Sequence, residues 1–242
     1  LPCRPFDLVV NAAGVVSHAA GNVLMDEVNH RGTQRLVRWA EGVGARHFVQ
    51  ISSVSVYGPM TMGIRSGERT TPRLGRWLGN PYMRSKVRAE GAVRRSRLAW
   101  TILRPPAVMG PDDTVLTPAI LGTLRAGTVP YAGRGDGLVS TVQVYNLAEC
   151  VARLATIGPL FAALNCCDEG IPWRALVEHY AACAGLPLTW EQRPLHSALD
   201  RLGDERYLLM LTHSAFGAYH PSDRLHRALD WHPPLHWRIG VE

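Results

Sequence analysis

Four short apolar runs, spaced by intervals long enough to hold helices, constrain this chain more than any other feature. They are FDLVVN at 6–11, HFVQIS at 47–52, WTILR at 100–104 and ALNC at 163–166. A strand solvated on one face alternates polar and apolar residues, whereas a continuous apolar run is buried on both faces. Between the first two runs, Val28, Leu36, Val37, Ala40 and Val43 recur near helical spacing, which predicts a helix over 22–43 ended by Gly42 and Gly44. A second helix is expected over 81–97 after a long Gly/Pro/Arg-rich loop (57–79), and Pro105 with Pro106 closes the third strand. Strands alternating with helices in this way imply an α/β fold whose parallel sheet is covered on both faces.

After residue 105 the rhythm changes. A helix is expected near 117–126, a strand near 138–144, a helix near 145–156, then shorter pieces: a helix at 172–184, a strand at 188–193 and helical turns at 195–203 and 221–229. The resulting division is a sheet domain over 1–105, completed by 139–167, and a small α+β lobe made of 106–138 and 168–242. With 242 residues, 46% hydrophobic and 19% charged, the chain has enough apolar material for a real core, which excludes a disordered tail. No run approaches eighteen apolar residues, so no membrane span is expected. The opening LPCRPFDLVV has no Met and no leader pattern, so a processed start or a fragment is expected. Cys3, Cys150, Cys166, Cys167 and Cys183 contain no CxxC pair, which favours a reduced, cytoplasmic location.

The formal net charge is +6, but its source is lopsided: 25 of the 26 basic residues are Arg and the one lysine is Lys86. No basic stripe interleaved with aromatics accompanies this excess, so nucleic acid is not an expected partner. Lys86 lies four residues after Tyr82 at a helix start, which puts both on one face, and Ala89 and Val93 continue that face inward. An ammonium beside a phenol favours the phenolate and lets it exchange a proton near neutral pH. YxxxK alone is a weak pattern; its weight comes from the lysine being unique where Arg is the default. Upstream, QISSVSVYG puts Ser52, Ser53 and Ser55 at the C-terminal end of a strand, where open α/β sheets place ligands. Each serine taken singly reads better as a turn residue that satisfies backbone groups.

Taken together, DLVVNAAG, VNHRGT, ISSVSVYG, YMRSK and ILRPPAVMGP occur in the order that resembles the extended short-chain dehydrogenase/reductase superfamily, in its NAD-dependent epimerase/dehydratase group and most like the 3β-hydroxysteroid dehydrogenase-like branch. The resemblance implies a Rossmann-type doubly wound parallel sheet and a small α+β C-terminal substrate lobe. It also implies NAD or NADP as cofactor, a small-molecule substrate, and a homodimer as one assembly open to the chain. By the same resemblance Tyr82 is the general acid/base, Lys86 lowers its pKa and holds the nicotinamide ribose, Ser53 orients the reacting oxygen, and Asn29 supports the network. Asn11, Ala12, Ala13, Gly14 and Ser52 line the cofactor together with Tyr82 and Lys86, and Pro105 and Pro106 lie near the nicotinamide.

Three departures refine the expectation. Nucleotide-sugar members commonly carry an Asn after the strand-ending Arg and an Arg opening a later strand; here those positions are Ala107 and Val139. An apolar alcohol or ketone is therefore expected, with Met60, Met62, Met109 and Tyr131 either lining a pocket or packing the core. Tyr145 stands where the family often has Asp. No glycine-rich phosphate turn precedes a helix; by the resemblance DLVVNAAG is the fourth strand, so at least two strand–helix units, on the order of 60 residues, are expected before Leu1, and the sheet is expected to be N-terminally truncated. His220, His226, His232 and His236 match no zinc spacing, so no metal is expected. Arg65, Arg69, Arg73 and Arg76 read as a solvated loop, and Asp112, Asp113 and Asp136 as turn residues. Two other readings remain at this stage: a nucleotide-sugar epimerase or dehydratase, and a cofactor-free regulatory or scaffolding member of the superfamily.

Overall fold

The computed structural model describes residues 4–16, 21–58, 68, 80–202 and 204–241. The first half runs β1 (Val9–Asn11), α1 (Gly21–Met25), a π-helical segment (Asp26–Gly32), α2 (Thr33–Gly42), β2 (Phe48–Ile51), α3 (Pro81–Arg94) and β3 (Trp100–Arg104). The second half supplies β4 (Ala107–Met109), α4 (Leu116–Arg125), β5 (Val129–Tyr131), β6 (Leu138–Gln143), α5 (Val144–Ile157) and β7 (Ala163–Asn165). It ends with β8 (Glu169–Pro172), α6 (Trp173–Ala184), β9 (Trp190–Gln192), α7 (Glu205–Phe216) and α8 (Asp223–Leu229).

β1, β2, β3 and β7 form one parallel sheet in that order, with Val9 opposite Phe48, Phe48 opposite Trp100 and Ile102 opposite Ala163. Successive side chains on a strand point to opposite faces. Phe48, Ile102 and Ala163 pack with Val37 and Ala40 of α2 and Val93 of α3. Their neighbours Val49, Leu103 and Leu164 pack on the other side with Cys150 and Leu154 of α5 and Leu225 and Leu229 of α8. This two-sided burial is the physical reason for the unbroken apolar runs, and the fold is Rossmann-like. β1 is an edge strand of the sheet, with Val10 39% exposed.

β6 does not join that sheet. It pairs parallel with β4 and antiparallel with β8, while β5 and β9 form a separate parallel pair. The segment 139–167 therefore brings α5 and β7 to the main sheet and leaves β6 in the second one. Met109, Ile120, Leu124, Val139, Trp173, Leu176 and Tyr180 form the core that joins β4, β6, α4 and α6.

The expected helix over 22–43 is broken into α1, the π-helical Asp26–Gly32 and α2. A π turn widens the helix and tends to occur at functional positions; this one carries the buried Asn29. The region after 203 holds a full helix, α7, where the sequence suggests no element until 221. Its consecutive LLML hides the helical period, although Met210, Leu211 and Ser214 are its buried face. No helix among the described residues is long and apolar enough to cross a membrane.

Candidate active site

The C-terminal ends of β1, β2 and β3 lie side by side, and each is fixed by polar side chains. At β1, Asn11 donates to Thr33 Oγ1 at 3.0 Å and Gln50 Oε1 at 2.9 Å, and its Oδ1 accepts the Ala13 N–H at 3.3 Å. Asn29 grips the following turn: its Oδ1 accepts the Val15 N–H at 2.7 Å, and its amide donates to the Val15 carbonyl at 2.9 Å and Ser85 Oγ at 3.0 Å. Both amides are thus engaged within the protein. What they present outward is the exposed backbone turn Ala12, Ala13 and Gly14. At β2, Ser52 Oγ donates to Glu90 Oε1 at 2.7 Å, so its hydroxyl likewise braces the site from inside. Asn11, Asn29 and Ser52 thus spend these side-chain bonds on bracing the strand ends from within, Asn29 in the network role expected of it.

Tyr82 and Lys86 lie one turn apart on α3, which starts where the Asn80 side chain accepts the Met83 N–H and Pro81 takes the first helical position. Lys86 is buried, 6% exposed, and donates from Nζ to the Ile51 carbonyl at 3.2 Å. Its Nζ is 5.8 Å from the Tyr82 ring centre. A Cβ at Gly14 would come within 3.2 Å of Nζ and 3.4 Å of Asn29 Oδ1, so a larger residue there would push on the ammonium by a few tenths of an ångström. Burial brings the Lys86 pKa down to about 8, against the opposing field of Glu90. The Ser53 side chain lies near enough to the Tyr82 phenol to favour its ionised form; its Oγ donates to Ser55 Oγ at 3.1 Å and accepts the Ser55 N–H at 3.1 Å.

The direction of the Tyr82 shift differs from the sequence expectation. Burial raises the phenol above its ordinary value, and the nearby Ser53 side chain opposes this without reversing it. The phenol is therefore held in its protonated form at neutral pH.

A network invisible to the motif reading lies beneath the site. Arg104 closes β3 fully buried and holds Glu90 with two bonds, Nε to Oε1 at 2.8 Å and Nη2 to Oε2 at 2.7 Å. Its Nη1 donates to Tyr57 Oη at 3.0 Å, and Tyr57 donates to Asn165 Oδ1 at 2.7 Å. Burial works against the Arg104 charge, but the bonds to Glu90 and Tyr57 hold it protonated above its ordinary value. The available signal was an Arg ending an apolar strand and a Glu four residues beyond Lys86 on the buried face.

The residues present suit the nicotinamide-ribose half of a dinucleotide. The Ala12–Gly14 turn offers backbone without bulk, and of the three Lys86 ammonium donors one is engaged among the described residues. Pro105, buried, and Pro106, half-buried, follow Arg104 directly. The described residues contain no glycine-rich turn for a diphosphate.

The other sequence candidates fall elsewhere. Val139 and Met109 are core residues and Ala107 packs against them. Tyr131 is half-buried, with the Arg174 guanidinium 5.2 Å from its ring, and Tyr145 is exposed. Met60, Met62, Arg65, Arg69, Arg73 and Arg76 lie outside the described residues. His220 stacks on Tyr57 at 5.5 Å, His226 lies 5.6 Å from Trp231 and 6.1 Å from His232, and His236 pairs with Glu169 at 3.3 Å. Among the described residues no three His, Cys, Asp or Glu side chains converge as a metal site. Asp113 caps α4, accepting the N–H groups of Val115, Leu116 and Thr117. Asp112 takes a left-handed turn position (φ 64°) and Asp136 is exposed beside Arg134. A hollow of about 270 Å³ bounded by Gln34, Arg38, Glu41 and Arg95 shares no residue with the site.

Residues 3–166 match the NAD dependent epimerase/dehydratase family. The chain belongs to that family. It is 28% identical over 162 residues to a 3beta-hydroxysteroid-dehydrogenase/decarboxylase isoform 2 of Arabidopsis thaliana, covering 63% of this chain and 28% of the relative. It is 27% identical over 187 residues to a 2-alkyl-3-oxoalkanoate reductase of Shewanella oneidensis, covering 69% of this chain and 47% of the relative. The chain thus spans less than half the length of both. RMD from Pseudomonas aeruginosa, solved complexed with NADPH, superposes with a TM-score of 0.73 at 22% identity, over 97% of this chain and 79% of that one, which shows the shared fold.

Proposed function

We propose that the protein is an NAD(P)-dependent oxidoreductase that interconverts a ketone and a secondary alcohol on an apolar substrate, with Ser53, Tyr82 and Lys86 as its reacting set. The observation that carries this reading is the chain's sole lysine, buried under an open strand-end turn with its ammonium 5.8 Å from the ring of a phenol one helical turn away. Solvated surface residues have no reason to adopt that arrangement, since burying an ammonium is costly unless its charge is used.

Ala12, Ala13, Gly14, Pro105 and Pro106 border the cofactor position in this reading, Lys86 donates to a ribose hydroxyl, and Asn11, Asn29 and Ser52 brace those segments. The cofactor supplies hydride exchange at the carbon. In the reductive direction Ser53 donates a hydrogen bond to the ketone oxygen, and Tyr82 gives that oxygen its phenol proton as negative charge develops there. The Lys86 ammonium stabilises the phenolate left behind, and solvent restores the proton. The segments 106–138 and 168–242 form the substrate-binding lobe.

Two observations support an apolar substrate. Ala107 and Val139 stand where nucleotide-sugar members of the resembled superfamily commonly carry Asn and Arg, and the two relatives are named for a hydroxysteroid and an alkyl oxoalkanoate. The test is turnover by the full-length protein with NADH and NADPH on a panel of long-chain and steroid ketones beside UDP-glucose. The expected result is reduction of an apolar ketone that disappears in Tyr82→Phe. Turnover of the sugar nucleotide alone would overturn the substrate class, and folded protein inactive on the whole panel would overturn the enzymatic reading.

A further inference from the structure

Glu90 is a carboxylate, 3% exposed, whose oxygens are both engaged, and its partners come from three separate segments of the site. Ser52, which donates to Oε1, is the neighbour of Ser53 at the end of β2. Arg104, which holds both oxygens, is the last residue of β3 and precedes Pro105 and Pro106. Glu90 itself lies on α3, one turn beyond Lys86 and two beyond Tyr82, so Lys86 and Glu90 share a face. Arg94 adds a longer contact at 3.5 Å from the next turn. A single carboxyl group therefore registers the serine strand, the Tyr–Lys helix and the proline-closed strand against each other. A bidentate Arg–carboxylate pair suits such a task because its geometry is fixed in both distance and angle.

We propose that Glu90, clamped by Arg104 and Ser52, is a positioning residue for the proton-transfer set: it fixes α3 against the ends of β2 and β3, and its negative charge keeps the buried Lys86 an ammonium. This rests on the reading of Lys86 as the cation beside the Tyr82 phenol. The other charged and titratable groups near Lys86 are accounted for. Tyr82 is protonated; Arg104 is bonded to Glu90; and on the π-helical segment packed against α3, Asp26 engages His30, Arg31 and Arg88, while Glu27 engages Arg31 and Arg35. Glu90 is the carboxylate whose field acts on Lys86.

The uniqueness of Lys86 in this chain makes the proposal testable without any enzymatic readout. Protein labelled with ¹³C-lysine gives a Cε resonance for Lys86, assigned by its loss in Lys86→Met, whose pH titration follows that one ammonium. Glu90→Gln is expected to move the midpoint down by about one pH unit, as an opposite charge at this range does when removed. Because Glu90→Gln leaves the Arg104 charge buried and unpaired, that variant is at risk of not folding. The double variant Glu90→Leu/Arg104→Met replaces the pair by apolar groups of similar size, which buried ion pairs tolerate well. It is expected to show a downward shift as well, because Glu90 and not Arg104 is the charge that acts on Lys86.

Where the wild type turns over ketone, both variants are expected to lower kcat about tenfold or more with KM little changed, and to move the alkaline limb of the kcat profile down with the Lys86 midpoint. A wild-type midpoint in either folded variant overturns the proposal, because a purely structural pair would leave the lysine titration where it was. A wild type inactive on every ketone overturns the functional reading instead, and the lysine titration still reads the coupling between Glu90 and Lys86.

Discussion

Replacing Lys86 by Met is expected to stabilise the protein while abolishing its activity. The magnitude follows from the burial of the ammonium. Its pKa falls from 10.5 in the unfolded chain to about 8 in the fold, and each unit corresponds to about 1.4 kcal/mol, so holding Lys86 charged costs roughly 3 kcal/mol at pH 7. Against this stands the bond from Nζ to the Ile51 carbonyl, worth about 1 kcal/mol. That carbonyl keeps a second donor, Gln50 Nε2 at 3.0 Å, so its loss of Lys86 leaves no orphaned acceptor. The net gain is about 2 kcal/mol. Its pH dependence is specific to the mechanism. The cost is full below pH 8, where Lys86 is protonated in both states, declines between about 8 and 10.5, and vanishes above 10.5, where neither state is charged. Urea unfolding of both proteins at a series of pH values reads the difference directly. A Lys86→Met variant less stable than wild type at pH 7, or a stability difference that does not change between pH 7 and 10.5, would refute the reasoning.

Three further outcomes are expected. In the proposed chemistry ketone reduction requires charged Lys86, so kcat measured against pH is expected to stay level below about 8 and fall as pH rises through that value; a profile rising through pH 8 would contradict this. Gly137→Ala is expected to cost about 2–3 kcal/mol in urea unfolding, because a Cβ there runs into the His213 carbonyl and Gly217 where α7 meets β6, a backbone contact with no slack; a variant within about 0.5 kcal/mol of wild type would contradict it. Among the described cysteines Cys183 is exposed while Cys150, Cys166 and Cys167 are buried, and burial pushes the Cys167 thiol up to about 12. Native protein mapped by mass spectrometry after brief thiol labelling is expected to carry the label at Cys183 and not at the buried three; rapid labelling of any of those would contradict the packing.

The four sheet strands were legible because burial on both faces writes itself into every residue of a run, and Phe48 and Val49 or Ile102 and Leu103 show the two faces directly. Lys86 stood out because it is the one lysine among 25 arginines. Glu90 and Arg104 did not, since charge in a sequence is read as solvated until a partner is seen, and theirs lies 14 residues away across a helix–strand connection. The short strands VPY and EGIP contain Pro and Gly and owe their extended form to distant pairing, Val129 with Trp190 and Ile171 with Val139, which no local pattern records. The upward shift of Tyr82 was also hidden. Proximity of Tyr and Lys on a helix is visible in spacing, but the depth of burial that outweighs it depends on the whole fold.

The most direct test of the proposed chemistry follows both hydrogens in one reaction. The full-length protein reduces an apolar ketone with NAD(P)H deuterated at the transferable position, and NMR of the product locates the deuterium. The expected product carries deuterium on the carbinol carbon and a solvent-derived proton on oxygen, formed by wild type and slowed about 10²–10⁴-fold in Tyr82→Phe. Product without deuterium at that carbon, or a Tyr82→Phe variant that keeps the wild-type rate, would contradict the assignment of proton transfer to Tyr82 and hydride transfer to the cofactor.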